Sequence, residues 1–469
     1  MKPAKLRIAA AAIILFFVWN SAAAQDTAAA AQPPTTGKPP IIIIPGITGS
    51  ELINSKTGKV VWFSRKRDKD DDLRLPISPN LSANEDSLIP GDIIREVKII
   101  KLLPEVEIYE RLIDALLKRG YREVKWDEPG ENAGQDTFLV YPYDWRRDNV
   151  ESARLLVRKV DALKKKIGNP DLKFNIIAHS MGGLISRYAA MYGDADIPGG
   201  TLQPTWAGAK HFDRIFLLGT PNEGSVSALD AMLNGVSYVG GGINLPFFRD
   251  INRFDVFTAP SVYQLLPHDG SLRVYDAELK PIELDIYDPA TWDEYDWSIW
   301  KDDDFTKRFS TIEQNNARPF FRAALARAKR FQAAINANSS KEVPVSFYLI
   351  GADCKETLNA FIVRRDEKKD RWITQFNAAD FKRSTGEVVT TEALKRVLYG
   401  LGDGVVTKRS LAGESLIANG KANTIPVQSE IMQCESHSKL VTNAEIQSKL
   451  FEFLGLAAAP VTQKLSANL

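Results

Sequence analysis

The sequence predicts an α/β protein built on a doubly wound, mostly parallel sheet with helices on both faces. Three observations carry this. Ile41-Ile42-Ile43-Ile44 is apolar on both faces, as suits a central parallel strand rather than an edge. Strand-like and helix-like stretches then alternate along the chain, the pattern of a sheet wound with helices. Finally, the β-branched run Phe174-Asn175-Ile176-Ile177-Ala178 is followed by Leu184, Ile185, Tyr188 and Ala189 at helical spacing, so strand gives way to helix at Ser180.

At 469 residues the chain has the length of two or three domains, or of one sheet domain with insertions. Its 60 basic and 59 acidic residues leave a formal net charge of +1, which gives no footprint for nucleic acid or an anionic membrane. Affinity for lipid must then come from apolar surface. Lys2, Lys5 and Arg7 precede the apolar run Ile8 to Trp19 and the small-residue stretch Ser21 to Ala24, which reads as a secretory signal over 1–24. Residues 25–40, rich in Ala, Pro and Thr, read as a flexible lead-in, and 41–469 as the folded domain of an exported protein. No cysteine closely follows the apolar run, so lipid attachment there is not expected. Export makes a Cys354–Cys434 disulfide permissible, and the geometry of the fold decides between a bridge and two buried thiols.

After the first strand, Pro45-Gly46-Ile47-Thr48-Gly49 reads as a turn. Residues 60–97 lose regularity and read as a lid-like insertion, with Trp62 and Phe63 either core or acyl-chain contacts. The run Asp70-Asp71-Asp72 has no calcium-loop spacing and is interleaved with cations, so it reads as solvated surface. Val106, Tyr109, Leu112, Ile113, Leu116 and Leu117 form a helical stripe ending at Gly120. Phe138 to Tyr141 is the next strand, and Val150 to Ile167 the next helix, with Lys164 to Lys166 in a last turn whose dipole favours cations. Arg214 to Leu218 follows the Ser180 unit as another strand. The rhythm lapses over 223–341, read as a mainly helical cap over the strand ends, whose aromatics from Trp292 to Trp300 are cap core or a substrate lip. A helix from Phe320 to Ile335 then leads into a strand from Val345 to Ile350.

A serine hydroxyl is a poor nucleophile. A sharp strand-to-helix turn helps it by exposing its oxygen above the sheet at a positive helix N-terminus. Gly182 and Gly183 supply the small neighbours that such a turn needs, with Ala178 standing where the elbow pattern has its first glycine. The blander reading is a Gly-rich connection capped by Ser180. If Ser180 is the nucleophile, the amides of Ile47 and Met181 are the candidate oxyanion donors. Of the four histidines, His179, His211, His268 and His437, only His437 lies near the chain end, where a base following the nucleophile and acid belongs; His179 suits packing or orientation. For the acid, Asp353 follows a strand almost directly and Asp403 sits in the tight turn Gly402-Asp403-Gly404. Spacing does not choose between them.

A resemblance does. Pro45-Gly46-Ile47-Thr48-Gly49-Ser50, Pro142-Tyr143-Asp144-Trp145-Arg146, Ala178-His179-Ser180-Met181-Gly182-Gly183, Tyr263-Gln264-Leu265-Leu266-Pro267, Gly402-Asp403-Gly404-Val405 and His437 stand in the order seen in the lecithin:cholesterol acyltransferase family. The chain resembles a divergent bacterial-type member over patches from Ile41 to Leu454. The resemblance implies an α/β-hydrolase fold, a Ser180-Asp403-His437 triad, and an oxyanion hole from the Ile47 and Met181 amides. The family's animal enzymes close a lid with cysteines, whereas 60–97 holds none, and Val405 stands where threonine is usual. The expected activity is acyl transfer from lipid-like esters to water or an alcohol, as a phospholipase or O-acyltransferase, with no cofactor and no metal. The expected partner is a lipid or other ester, met by transient contact with a lipid surface. The rivals are a small-ester hydrolase or peptidase, and an exported lipid-binding or scaffold protein without chemistry.

Overall fold

The computed structural model describes residues 37–64, 72–97, 106–130, 132–236, 251–268, 270–415, 425 and 427–456. The expected secretory signal, most of the lead-in, and Asp70 and Asp71 lie outside them; Asp72 is paired with Arg74.

The strands that build and flank the site are β1 (Ile41–Ile44), β2 (Arg122–Glu123), β3 (Thr137–Val140), β4 (Phe174–His179), β5 (Phe212–Leu218), β6 (Ser346–Gly351), β7 (Lys355–Leu358), β8 (Tyr399–Gly402) and β9 (Val427–Met432). The helices are α1 (Glu110–Leu117), α2 (Asn149–Ile167), α3 (Met181–Tyr192), α4 (Thr311–Ile335) and α5 (Ala444–Phe453). A seven-stranded sheet of order β9-β6-β5-β4-β1-β3-β2 forms the centre, and each neighbouring pair runs parallel.

Strand periodicity divides the core in two. Ile42, Ile44, Ile176 and Ile215 pack with residues of α2, α3 and α4 on one face. Their neighbours Ile41, Ile43, Ile177 and Phe216 pack on the other with Leu112 and Leu116 of α1 and Ile446 and Leu450 of α5. Both faces of β1 are therefore buried, which is why it reads as an unbroken isoleucine run. Helix α2 has sequence-encoded ends: the Asp148 side chain accepts from Val150 N–H, and Gly168 closes the other end in the left-handed conformation.

The insertions have more order than their sequence suggests. Val60–Trp62 and Leu88–Ile93 pair antiparallel with Ser50–Asn54 on either side. This pairing is non-local, so no short-range periodicity announces it. Trp62 is core: it is buried, and its indole N–H donates to Thr48 O at 2.9 Å. Arg146, also buried, binds Asp144, Asp86 and the Leu73 carbonyl, fastening this insertion to the loop after β3.

Over 223–341 the described structure is mainly helical, with short helices at Val226–Asn234, Arg253–Phe257, Pro260–Tyr263, Pro289–Glu294 and Phe305–Arg308 before α4. Helix α4 begins at Thr311, ahead of the Phe320 expected, because Ser310 and Glu313 form a capping box and the helix runs through Pro319. Trp292 and Trp297 are buried and meet edge to face at 5.6 Å, so they are cap core rather than a substrate lip. No described helix is long and apolar enough to cross a membrane.

Candidate active site

Ser180 links β4 to α3 with φ 54° and ψ −125°. A non-glycine residue held there costs about 1–3 kcal/mol, so its surroundings must enforce it. Ser180 N–H donates to Leu218 O at 2.7 Å, and Ser180 O accepts from Gly183 N–H at 3.0 Å. The two glycines are required by space. A Cβ on Gly182 would stand 2.5 Å from Pro45 O, and one on Gly183 would overlap the Thr220 side chain. Helix α3 thus starts wedged between the loops that follow β1 and β5. Gly183→Ala is expected to destabilise the protein by about 1–3 kcal/mol, as overpacking does. A denaturation midpoint measured beside wild type checks it, an unchanged midpoint meaning that Thr220 yields freely.

Asp403 reaches the site by a detour the sequence did not reveal. After β6 the chain enters β7, leaves through Phe361–Asp366 and Arg371–Gln375, and returns as β8 antiparallel to β7 with Gly402 opposite Lys355. Asp403 is thereby carried back beside the end of β6, some fifty residues after leaving it. Cys354 and Cys434 form a disulfide with Cα atoms 5.5 Å apart, joining the start of this detour to the segment before His437.

Asp403 and His437 are brought together. Asp403 Oδ2 lies 2.7 Å from His437 Nδ1, while Oδ1 accepts from Val405 N–H at 2.9 Å and Val406 N–H at 2.7 Å. His437 N–H donates to Asp403 O at 2.9 Å. Burial pushes the Asp403 carboxyl up, but the His437 charge and hydrogen bond and the two amides together hold it below the usual carboxylate range. Asp353 instead sits half-exposed, 3.4 Å from Lys408 Nζ.

The His437 ring lies against Gly219, where a Cβ would stand 2.9 Å from its Nδ1 and Cε1. Gly219 follows Leu218, whose carbonyl takes the Ser180 N–H, so Ser180 and the His437 imidazole flank the same exit of β5. Among the described residues no hydrogen bond joins Ser180 Oγ to His437.

The turn after β1 closes with Gly49 N–H donating to Gly46 O at 3.1 Å, and Thr48 within it has φ 60°. Among the described residues the amides of Ile47 and Met181 have no hydrogen-bond partner. Ile47 and Ser180 line one cavity of about 230 Å³, walled mainly by apolar side chains including Trp145, Val256, Val262, Leu265 and Val406.

Of the other histidines, His211 is buried just before β5 begins, at the far end from Ser180, and His268 lies 3.4 Å from Ser415 Oγ. His179, expected to pack or to orient, lies against His437. Its Nδ1 is 3.0 Å from Tyr109 Oη, its Nε2 is 3.1 Å from His437 O, and its ring is 4.8 Å from that of His437. Tyr109 was legible only as a member of an apolar stripe, since periodicity is blind to where a phenol ends.

In the comparison with solved structures, a chain of the Tle4–Tli4 complex is similar over 89% of this chain and 98% of its own, with 16% identity and a TM-score of 0.51. A mature Bacillus licheniformis lipase, BlEst2, aligns over 91% of this chain and 95% of its own, with 12% identity and a TM-score of 0.34. The comparison with curated proteins finds no match. The first likeness agrees with the sheet order in giving an α/β-hydrolase fold. The family model described as lecithin:cholesterol acyltransferase matches residues 94–444, well over half of the chain, from before α1 to the start of α5. The chain therefore belongs to the lecithin:cholesterol acyltransferase family.

Proposed function

We propose that the protein is an exported serine esterase or O-acyltransferase acting on lipid-like esters through an acyl-enzyme. The observation that carries this is the 2.7 Å Asp403–His437 pair set beside a serine on a strained strand-to-helix turn at an apolar cavity. With its Nδ1–H held by Asp403, His437 has only Nε2 free to accept a proton. Ser180 Oγ attacks the ester carbonyl as His437 takes its proton, and the Ile47 and Met181 amides bind the developing oxyanion. His437 then protonates the departing alcohol. Water or a second alcohol, deprotonated in turn by His437, releases the acyl group and restores Ser180. The apolar walls suit an acyl chain, and an export signal at the N-terminus agrees with the cysteines being bridged.

A fluorophosphonate probe tests the chemistry, because only an activated serine reacts with it. The wild type is expected to be labelled and Ser180→Ala to remain unlabelled. An unlabelled wild type would point to a binding protein that kept the fold without the reaction. Turnover of phospholipid, triglyceride, sterol ester, short ester and peptide, with and without an added alcohol, then separates the lipid reading from its rivals and hydrolysis from transfer.

A further inference from the structure

We infer that Tyr109 and His179 are positioning residues that lock the turn bearing the Ile47 amide to the backbone of His437, holding oxyanion donor and base in one registration about Ser180. The inference rests on the serine-dependent reading above. It begins with Gly46, whose N–H donates to Tyr109 Oη at 2.9 Å. The phenol oxygen lies in the bend of the turn, 3.1 Å from where a Gly49 Cβ would be. The same turn lies on the nucleophile: a Cβ on Gly46 would stand 2.9 Å from Ser180 Cβ and 3.3 Å from His179 Nδ1.

The direction of each bond follows from its partners. The His437 carbonyl can only accept, so His179 Nε2, 3.1 Å away, carries the proton. Burial, aided by the charge of His437, lowers the His179 pKa to about 3, which leaves a neutral ring with a single N–H. Its Nδ1 is therefore an acceptor, and Tyr109 O–H donates to it. Burial also raises the Tyr109 phenol well above its ordinary range, so it keeps that proton. The chain runs from Gly46 N–H through the Tyr109 hydroxyl to His179 Nδ1, and from His179 Nε2–H to His437 O. With its own N–H on Asp403 O, the His437 backbone is held on both sides.

Neither Tyr109 nor His179 lines the cavity, so they act through Gly46 and His437 rather than on substrate. This differs from the role of ordinary buried polar side chains. A merely structural pair would affect stability, whereas a pair that sets the registration of donor and base affects the transition state more than substrate binding.

The test compares Ser180→Ala, Tyr109→Phe, His179→Gln and His179→Leu by steady-state turnover of a p-nitrophenyl ester and by affinity for an alkylboronic acid, whose tetrahedral serine adduct uses the oxyanion amides. Tyr109→Phe is expected to lower kcat by about tenfold or more with KM within about twofold, and to weaken the boronic acid by a similar factor. His179→Gln, whose amide N–H can still reach the His437 carbonyl, is expected to keep several times more activity than His179→Leu. Unchanged kcat in Tyr109→Phe, a loss confined to KM, or equal activity of the Gln and Leu variants would each overturn the inference. Should Tyr109→Phe not fold, the Gln and Leu comparison decides alone. Wild-type turnover in Ser180→Ala would sink the parent reading; an inactive Ser180→Ala beside an unimpaired Tyr109→Phe sinks only this one.

Discussion

Ser180→Ala is expected to reduce turnover of a short p-nitrophenyl ester by about 10⁵–10⁶-fold while leaving the fold intact. The size follows from how a triad works as a unit: once the nucleophile is gone, base and acid have no partner, and what remains is the small rate support of oxyanion donors and binding. The fold should persist because the hydroxyl itself makes no structural hydrogen bond among the described residues. The backbone bonds to Leu218 and Gly183 that hold the elbow do not involve the side chain. Circular dichroism and the denaturation midpoint check the fold, and stopped or burst-phase assays with active-site titration check the rate. Retention of even about a hundredth of wild-type turnover, with contaminating esterase excluded, would reject Ser180 as the nucleophile.

The second large effect is at Asp403. Asp403→Asn is expected to lower kcat by about 10⁴-fold, whereas Asp353→Asn should stay within a few-fold of wild type. An asparagine at 403 can still accept from the Val405 and Val406 amides, but its own N–H can face His437 Nδ1. That stabilises the tautomer with the proton on Nε2, where it cannot accept one from Ser180. Among the described residues the half-exposed carboxylate of Asp353 meets only Lys408, so its loss touches no group of the proposed triad. A larger loss at Asp353 than at Asp403 would overturn the assignment. There is also a pH signature. Because the folded carboxyl of Asp403 titrates below its unfolded value, its contribution to stability is fully present above about pH 4 and disappears as pH falls through the folded value. Asp403→Asn should therefore flatten the acid limb of the stability profile.

Much of the scaffold was legible because local signals and burial agree. The isoleucine run of β1 and the Asp148 cap and Gly168 stop of α2 each encode their conformation within a few residues. The elbow could be read because Gly182 and Gly183, which the close approach of Pro45 and Thr220 requires, stand directly after the Ser180 turn in the sequence. Spacing left Asp353 and Asp403 undistinguished because the position of Asp403 depends on β7 pairing with β8 across some forty intervening residues, and no periodicity reports such a pairing. The strands of the 60–97 insertion were hidden by the same non-locality. Tyr109 was hidden differently. Its ring follows the apolar stripe of α1's approach, while its one polar atom ends seventy residues away in sequence, on His179.

The cysteine bridge has an effect even when the native structure is not formed. Tying two points 80 positions apart removes loop-closure freedom from the denatured ensemble, on chain-entropy grounds worth about 4–5 kcal/mol. Since the closed loop contains Asp403 and ends just ahead of His437, these two residues are leashed to each other in the denatured chain as well. A thiol-reducing environment would cut that leash and leave the pair to be gathered by weak contacts alone.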